Sequence, residues 1–336
     1  MDRTNLTWQQ GRSYARTIFP GLMASATVAA AANFLSQHYG APVMLFALLL
    51  GMSMNFLSQE GICRPGIELA ARQLLRAGVA LLGLRITYGQ IAAMGWSTIT
   101  MVAGLVVVTI LVGVLMARLA GFQAVFGVLT GGAVAICGAS AALAISTVLP
   151  AHSRKEQATL FTVIGVSALS TLAMVAYPMV AHALGYSDHA TGIFLGATIH
   201  DVAQVVGAGY GVSTDAGDTA TVVKLMRVAM LMPVIVVLAA LYRGQSEESE
   251  RPPILPWFVV VFAVLVAMGS LGWIPAIVQS AGNDASRWCL VIAISAIGFK
   301  TRLGELVSVG IRPIALMVVE TAFLAGLTLA MLAYTH

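Results

Sequence analysis

The sequence carries very little charge. Only 10% of its 336 residues are Asp, Glu, Lys or Arg, against about 25% in a soluble domain. With 59% hydrophobic residues, a water-exposed chain so poor in charge would precipitate. Lipid needs few charges, because each one costs about 2.5–3.5 kcal/mol at the bilayer centre. No polar stretch is long enough for a soluble domain, so a single membrane domain over residues 1–336 is expected, although the length would allow two soluble ones. Cysteine is scarce as well. Cys63, Cys137 and Cys289 are odd in number and far apart, which argues against a disulfide framework or a metal cluster. No basic face interleaved with aromatics occurs, so the formal charge of +4 does not point to nucleic acid. Loop bias in a membrane protein accounts for it.

The chain is rich in long apolar runs. Their continuity, without strand-like alternation, excludes a β-barrel. A span needs about 20 apolar residues, and breaking the chain at turn residues and charges yields about eleven. They fall near 19–38, 41–58, 69–87, 96–117, 122–149, 157–182, 190–211, 219–242, 254–270, 287–299 and 311–334. The span at 287–299 is short and is expected to start earlier. Residues 1–18 precede the first span, and the run at 243–253 (RGQSEESERPP) reads as a polar loop. A cleaved signal peptide ahead of the first span is conceivable, but an uncleaved first span is expected. Lys and Arg counts place the amino terminus in the cytoplasm. The pair Arg154/Lys155 dissents, and a re-entrant hairpin at 122–149 would remove the conflict. Residues 83–95 (GLRITYGQIAAMG) and 298–310 (GFKTRLGELVSVG) repeat each other, with Gly83, Gly89 and Gly95 matching Gly298, Gly304 and Gly310. Gln90 then aligns with Glu305, and an odd number of crossings between the copies gives an inverted repeat, a transporter architecture.

Three constellations carry the chemistry. The first is Gly131–Ala144 (GGAVAICGASAALA). Its glycines weaken a helix interior and predict an unwound centre, with a half-helix starting near Gly138. The free N–H groups there would form an anion site at Gly138, Ala139 and Ser140, beside Cys137; close helix packing through small residues is the alternative. The second is Gly196–Gly211 (GATIHDVAQVVGAGYG), where His200, Asp201 and Gln204 stand in an apolar run. On a continuous helix His200 and Gln204 would share a face. His200 and Asp201 would relay protons or lock two helices together. The third is Thr219–Pro233 (TATVVKLMRVAMLMP), with Lys224 and Arg227 on one face. Those cations would bind a substrate anion or neutralise Asp201, and Asp215 and Asp218 would cap the helix. Arg76 and Glu320 belong to a cavity or to an ion pair, and Asn55 reads as a packing or capping residue.

ICGASAALA (Ile136–Ala144), HDVAQVVGAG (His200–Gly209), VKLMRVAMLMP (Val223–Pro233) and GLRITYGQI (Gly83–Ile91) together resemble the bacterial sulfate exporter family, formerly grouped only as uncharacterised membrane proteins. The order and spacing match over nearly the whole chain. The resemblance implies an inner-membrane protein of the superfamily of sodium/proton antiporters and bile-acid symporters, with inverted repeats and discontinuous helices. The expected protein is therefore an all-α polytopic membrane transporter, exporting a sulfur oxyanion or related small anion by alternating access. Gly138, Ala139, Ser140, Gln204, Lys224 and Arg227 would bind the anion, and His200 and Asp201 would couple protons. Lipid, the anion, a proton or sodium ion and a second copy in a homodimer are the expected partners, with no nucleic acid, metal or cofactor. A cation/proton antiporter using Asp201 is the main alternative. A thiol enzyme using Cys137 is the other, against the expectation that the chain is not an enzyme.

Overall fold

A computed structural model describes every residue except 1–2, 40–41, 60, 94, 151–154, 243–256, 302–309 and 336. The described residues are almost all helical, and no strand occurs among them. In chain order the helices are α1 (Arg3–Tyr39), α2 (Val43–Ser53), α3 (Phe56–Gln59), α4 (Arg64–Leu69) and α5 (Leu75–Leu81). Next come α6 (Tyr88–Ala93), α7 (Gly95–Leu119), α8 (Ala124–Ala135), α9 (Ala139–Val148) and α10 (Lys155–Ala183). Then follow α11 (Asp188–Thr198), α12 (Val202–Val212), α13 (Thr214–Ala229) and α14 (Leu231–Leu241), and finally α15 (Trp257–Ser270), α16 (Ala276–Lys300) and α17 (Ile311–Thr335). Tyr14–Tyr39, Gly95–Leu119, Lys155–Ala183, Thr214–Leu241 and Ile311–Tyr334 are each long and apolar enough to cross a membrane. The chain is an all-helical polytopic membrane protein.

The expected spans coincide with helices or helix pairs, with two adjustments. The short span at 287–299 does start earlier, at Ala276. Residues 3–18, placed ahead of the first span, continue the same helix as the span itself. Local chemistry explains the subdivisions. Pro233 lacks an N–H and its ring clashes with the carbonyl four residues back, and that carbonyl belongs to Ala229, where α13 ends. Between α4 and α5 a π turn, Ala70–Leu74, keeps the rod continuous. The 243–253 loop lies outside the described residues.

The chain divides into two compact units, residues 1–88 with 258–302 and residues 89–257 with 303–336. In the first, glycines set the spacing between helices. A Cβ on Gly298 would lie 2.8 Å from the Cα of Gly51 and 2.5 Å from the carbonyl oxygen of Leu48. The α2–α16 contact therefore runs backbone to backbone. Small residues allow such approaches in lipid, where packing and hydrogen bonds replace the hydrophobic effect as the force between helices. Asn55 donates to the carbonyls of Phe299 (3.2 Å) and Thr301 (3.3 Å), capping the end of α16, so the capping reading holds. Arg76 is half-buried on α5 of this unit. In the second unit Gly113 of α7 meets Gly131 of α8 in the same backbone-to-backbone manner.

The two copies of the 83–95 motif have parallel surroundings. Gly83 and Gly298 are both packed against neighbouring backbone. Gly95 (φ +73°) and Gly310 (φ +90°) both adopt the left-handed conformation. Each is the pivot for a 25-residue helix, α7 in one copy and α17 in the other. The chain passes from the first unit to the second inside both copies. Gly304 and Glu305 lie outside the described residues.

Two substitutions test the glycine argument. Gly298→Ala is expected to destabilise the purified protein by about 1–3 kcal/mol through overpacking. Gly104→Ala on α7, where an added Cβ meets nothing within 4 Å, should be neutral or stabilising by up to about 1 kcal/mol. Thermal unfolding in detergent compares them.

Candidate functional site

The expected break near Gly138 is present. Helix α8 stops at Ala135, Ile136 turns away from helical angles (φ −110°, ψ −86°), and Gly138 (φ +65°, ψ −126°) starts α9. An L side chain is strained at that φ, so glycine is required. Gly131 and Gly132 do not unwind; both are helical within α8, where Gly131 accepts the close approach of α7. Of the two glycine clusters, one packs and one breaks. Gly138, at the N-cap of α9, has no side chain with which to cap it, and the Cys137 sulfur lies next to the Ala141 N–H of its first turn. Its opening residues Ala139 and Ser140 are half-buried and exposed respectively.

A second interruption corrects the reading of His200 and Asp201. Helix α11 ends at Thr198, Ile199 is extended (ψ 136°), and α12 restarts after Asp201. The helical i, i+4 relation between His200 and Gln204 therefore does not exist. Asp201 is the N-cap of α12: one of its carboxylate oxygens accepts the Ala203 N–H at 2.8 Å, and its own N–H donates to Ser170 Oγ at 2.9 Å. Gln204 is buried and donates to Thr171 Oγ1 (2.9 Å), while its Oε1 has no partner among the described residues. His200 is fully buried; its Nε2 meets Thr321 Oγ1 at 3.0 Å, and its Nδ1 lacks a well-formed hydrogen bond among the described residues, with the carbonyl of Val134 nearby. A Cβ built on Gly138 would lie 3.4 Å from the Cβ of His200, so the two breaks meet there.

Lys224 and Arg227 of α13 hold both breaks. Both are buried, 0% and 1% exposed. Lys224 Nζ donates to the carbonyls of Ile136 and Ile199, each at 2.8 Å. Arg227 donates through Nε to Ala135 O (2.8 Å) and through Nη2 to Val134 O (2.7 Å), and its Nη1 reaches Gly196 O and Ile199 O, both at 3.1 Å. These carbonyls are the groups a helix leaves unpaired at its C-terminal end, where the macrodipole is negative. The expectation that the two cations contact substrate thus meets a different geometry, in which their bonded donors face backbone. Asp201 caps its own helix and makes no direct hydrogen bond to either cation among the described residues, but it lies near enough for electrostatic attraction to Lys224.

Other expectations resolve differently. Asp215 and Asp218 do not cap α13. Ser213 does, accepting the Ala216 N–H at 3.1 Å, and Asp218 instead takes the hydroxyl of Tyr210. Glu320 is fully buried and accepts from Thr130 Oγ1 (2.8 Å); its Oε2 has no partner among the described residues. Glu320 makes no ion pair among the described residues. Cys137 is buried inside the first break. Lys155 caps α9, donating to Leu149 O at 3.0 Å, whereas Arg154 lies outside the described residues. The hydroxyls of Ser170, Thr171 and Thr321 were not singled out in sequence. Hydroxyls in membrane helices usually bond back to their own carbonyls, as Thr171 also does to Ser167, and no spacing marks the ones that reach across. A cavity of 610 Å³ in the same unit, lined by Ser97, Thr98, His189 and Tyr334 among others, sits at the starts of α7 and α11, away from the breaks.

Arg227→Lys tests the lock. Lysine keeps the charge but lacks the fork that reaches four carbonyls. With hydrogen bonds to charged groups contributing about 1.5–3 kcal/mol each, the variant should lose about 3 kcal/mol or more. Thermal unfolding, or loss of the monodisperse peak on size-exclusion chromatography, reads this out.

The comparisons agree with this architecture. Residues 20–317 match the family described as conserved hypothetical protein 698. A UPF0324 membrane protein of Chlorobaculum tepidum is 54% identical over 93% of this chain and 88% of its own length. The UPF0324 membrane protein TauZ of Paracoccus denitrificans is 51% identical over 94% of each chain. Another from Rhizobium meliloti is 50% identical over 95% of this chain and 93% of its own. No solved structure matches. A match over most of the chain, with half its residues shared with bacterial membrane proteins of one kind, places this chain in the UPF0324 membrane protein family.

Proposed function

We propose that this protein is a secondary transporter of a small anion in the bacterial inner membrane, with its amino terminus in the cytoplasm and its binding seat at the amino end of α9. One observation carries the reading. Of the four helix ends at the junction, three are neutralised: those of α8 and α11 by Lys224 and Arg227, and that of α12 by Asp201. The fourth, the amino end of α9, has glycine at its N-cap and no charged residue holding it among the described residues, with Ser140 exposed. Backbone N–H groups at a helix N-terminus bind anions without a full charge, and discontinuous helices supply such ends in transporters. His200, whose Cβ packs against Gly138 and whose buried Nδ1 lacks a well-formed hydrogen bond among the described residues, is the side chain we assign to complete the seat.

In this reading Gly138, Ala139 and Ser140 bind the anion. Lys224 and Arg227 contribute field from behind, through the helix ends they hold. The 83–95 and 298–310 copies are an inverted repeat, which supplies the alternating access. Sulfate, sulfite and sulfonates are the anions to test, following the family resemblance. The lone buried Cys137 needs no thiol chemistry in this scheme, because its break already has a structural reason in Gly138.

Two measurements in proteoliposomes check the proposal. Labelled sulfate or sulfite flux should fall at least about tenfold in Ser140→Asp, because the new carboxylate occupies the seat, while stability holds or rises by about 0.3–1 kcal/mol from an acid at a helix N-terminus. Unchanged flux would remove α9 from the site. Asp201→Asn retains a competent cap and should largely keep anion flux, whereas an Asp201-based antiporter would lose all ion-driven pH change.

A further inference from the structure

The carbonyls at the ends of α8 and α11 form a seat of the kind that alkali cations fill. Hard oxygen donors suit hard cations, and unwound backbone with half-helix carboxyl ends is where transporters coordinate a coupling sodium ion. Here the position is taken by a side chain. Lys224 Nζ stands 2.8 Å from Ile136 O and 2.8 Å from Ile199 O, one carbonyl from each break. Ile199 O also accepts from Arg227 at 3.1 Å, and Arg227 takes Val134, Ala135 and Gly196 as well. Val134, Ala135, Ile136, Gly196 and Ile199 are thus each engaged by a buried cation of the chain itself. A sodium ion entering here would displace those donors and meet two positive charges at contact range, where attraction to neutral carbonyls cannot compensate.

Resting on the transport reading above, we propose that Lys224 is a tethered stand-in for a coupling cation: its ammonium permanently occupies the monovalent-cation seat between Ile136 and Ile199, so anion transport through this junction needs no sodium. An ammonium is a compact point charge with three donors, closer to an alkali ion than the planar guanidinium is. Because it is covalently held, it cannot dissociate during the cycle. The side chain therefore stays with the junction throughout the cycle, and no sodium gradient is drawn upon at this place.

The experiment compares flux and stability in sodium and in choline buffers of equal ionic strength, for the wild type and two variants. Wild-type anion flux should be unchanged when choline replaces sodium; a strict sodium requirement overturns the proposal. Lys224→Ala vacates the seat and should lose at least about tenfold of its flux, given the strength of charge-assisted bonds. Methylammonium should then restore flux and raise the unfolding midpoint of that variant by mass action, with no effect on the wild type. Lys224→Met fills the space without charge and should not respond. Lys224→Ala that stays fully active, or folds but ignores methylammonium, sodium and potassium alike, overturns the proposal. If neither variant accumulates, the sodium comparison on the wild type decides. If the wild type moves no anion, the transport reading fails, and the methylammonium shift in unfolding midpoint still judges the seat.

Discussion

The binding of two buried cations to the carbonyl ends of two interrupted helices is the interaction on which the rest depends. A helix that stops in an apolar surrounding leaves carbonyls without partners, and each unmet group costs several kcal/mol where no water reaches. Lys224 and Arg227 meet that cost for α8 and α11 together from one helix, α13. Neither the breaks nor the buried cations would be tolerable alone. Each is the other's compensation, which is why residues so costly to bury stand at 0% and 1% exposure.

The neutralisation is unequal, and the proposed function rests on that inequality. Asp201 satisfies the amino end of α12 from within its own segment. The amino end of α9 has only Gly138 before it, a residue chosen by its backbone angle and unable to cap through a side chain. The junction therefore combines charges and helix ends of which one, the amino end of α9, is not held by a charged side chain among the described residues. Preorganised donors of this sort bind anions without reorganising. The glycine contacts serve the same end at longer range. Gly113 against Gly131, and Gly192 and Gly196 against α13, bring backbones close enough for a lysine and an arginine on one helix to reach two others.

Much of the fold is legible from sequence because lipid imposes simple rules. Continuous apolar runs of about 20 residues must be helices, and the spans read that way coincide with helices or helix pairs. Gly138 could be recognised as a break because glycine in a helix interior is costly unless it has a purpose. Gly131 has identical composition cues and remains helical, because its purpose is to admit α7. His200 and Asp201 were conspicuous as ionisable groups in an apolar run. That they occupy a break could not be read, since no glycine or proline marks Ile199–Asp201 and the interruption is held by Ser170, Lys224 and Arg227 from elsewhere in the chain.

By itself, the sequence determined that this chain lives in lipid as a helical bundle, where its spans lie, and which few charged residues must have a purpose. Those conclusions follow from local hydrophobicity and from the cost of burying charge, which depend on residue type alone. Only the tertiary structure decided what the charged residues do. The partners of Lys224 are carbonyls 88 and 25 residues away, and a carbonyl is present at every position of every sequence. Which of them lose their helical partners, and come within reach of one ammonium, is a property of how helices cross and is written in no residue's identity.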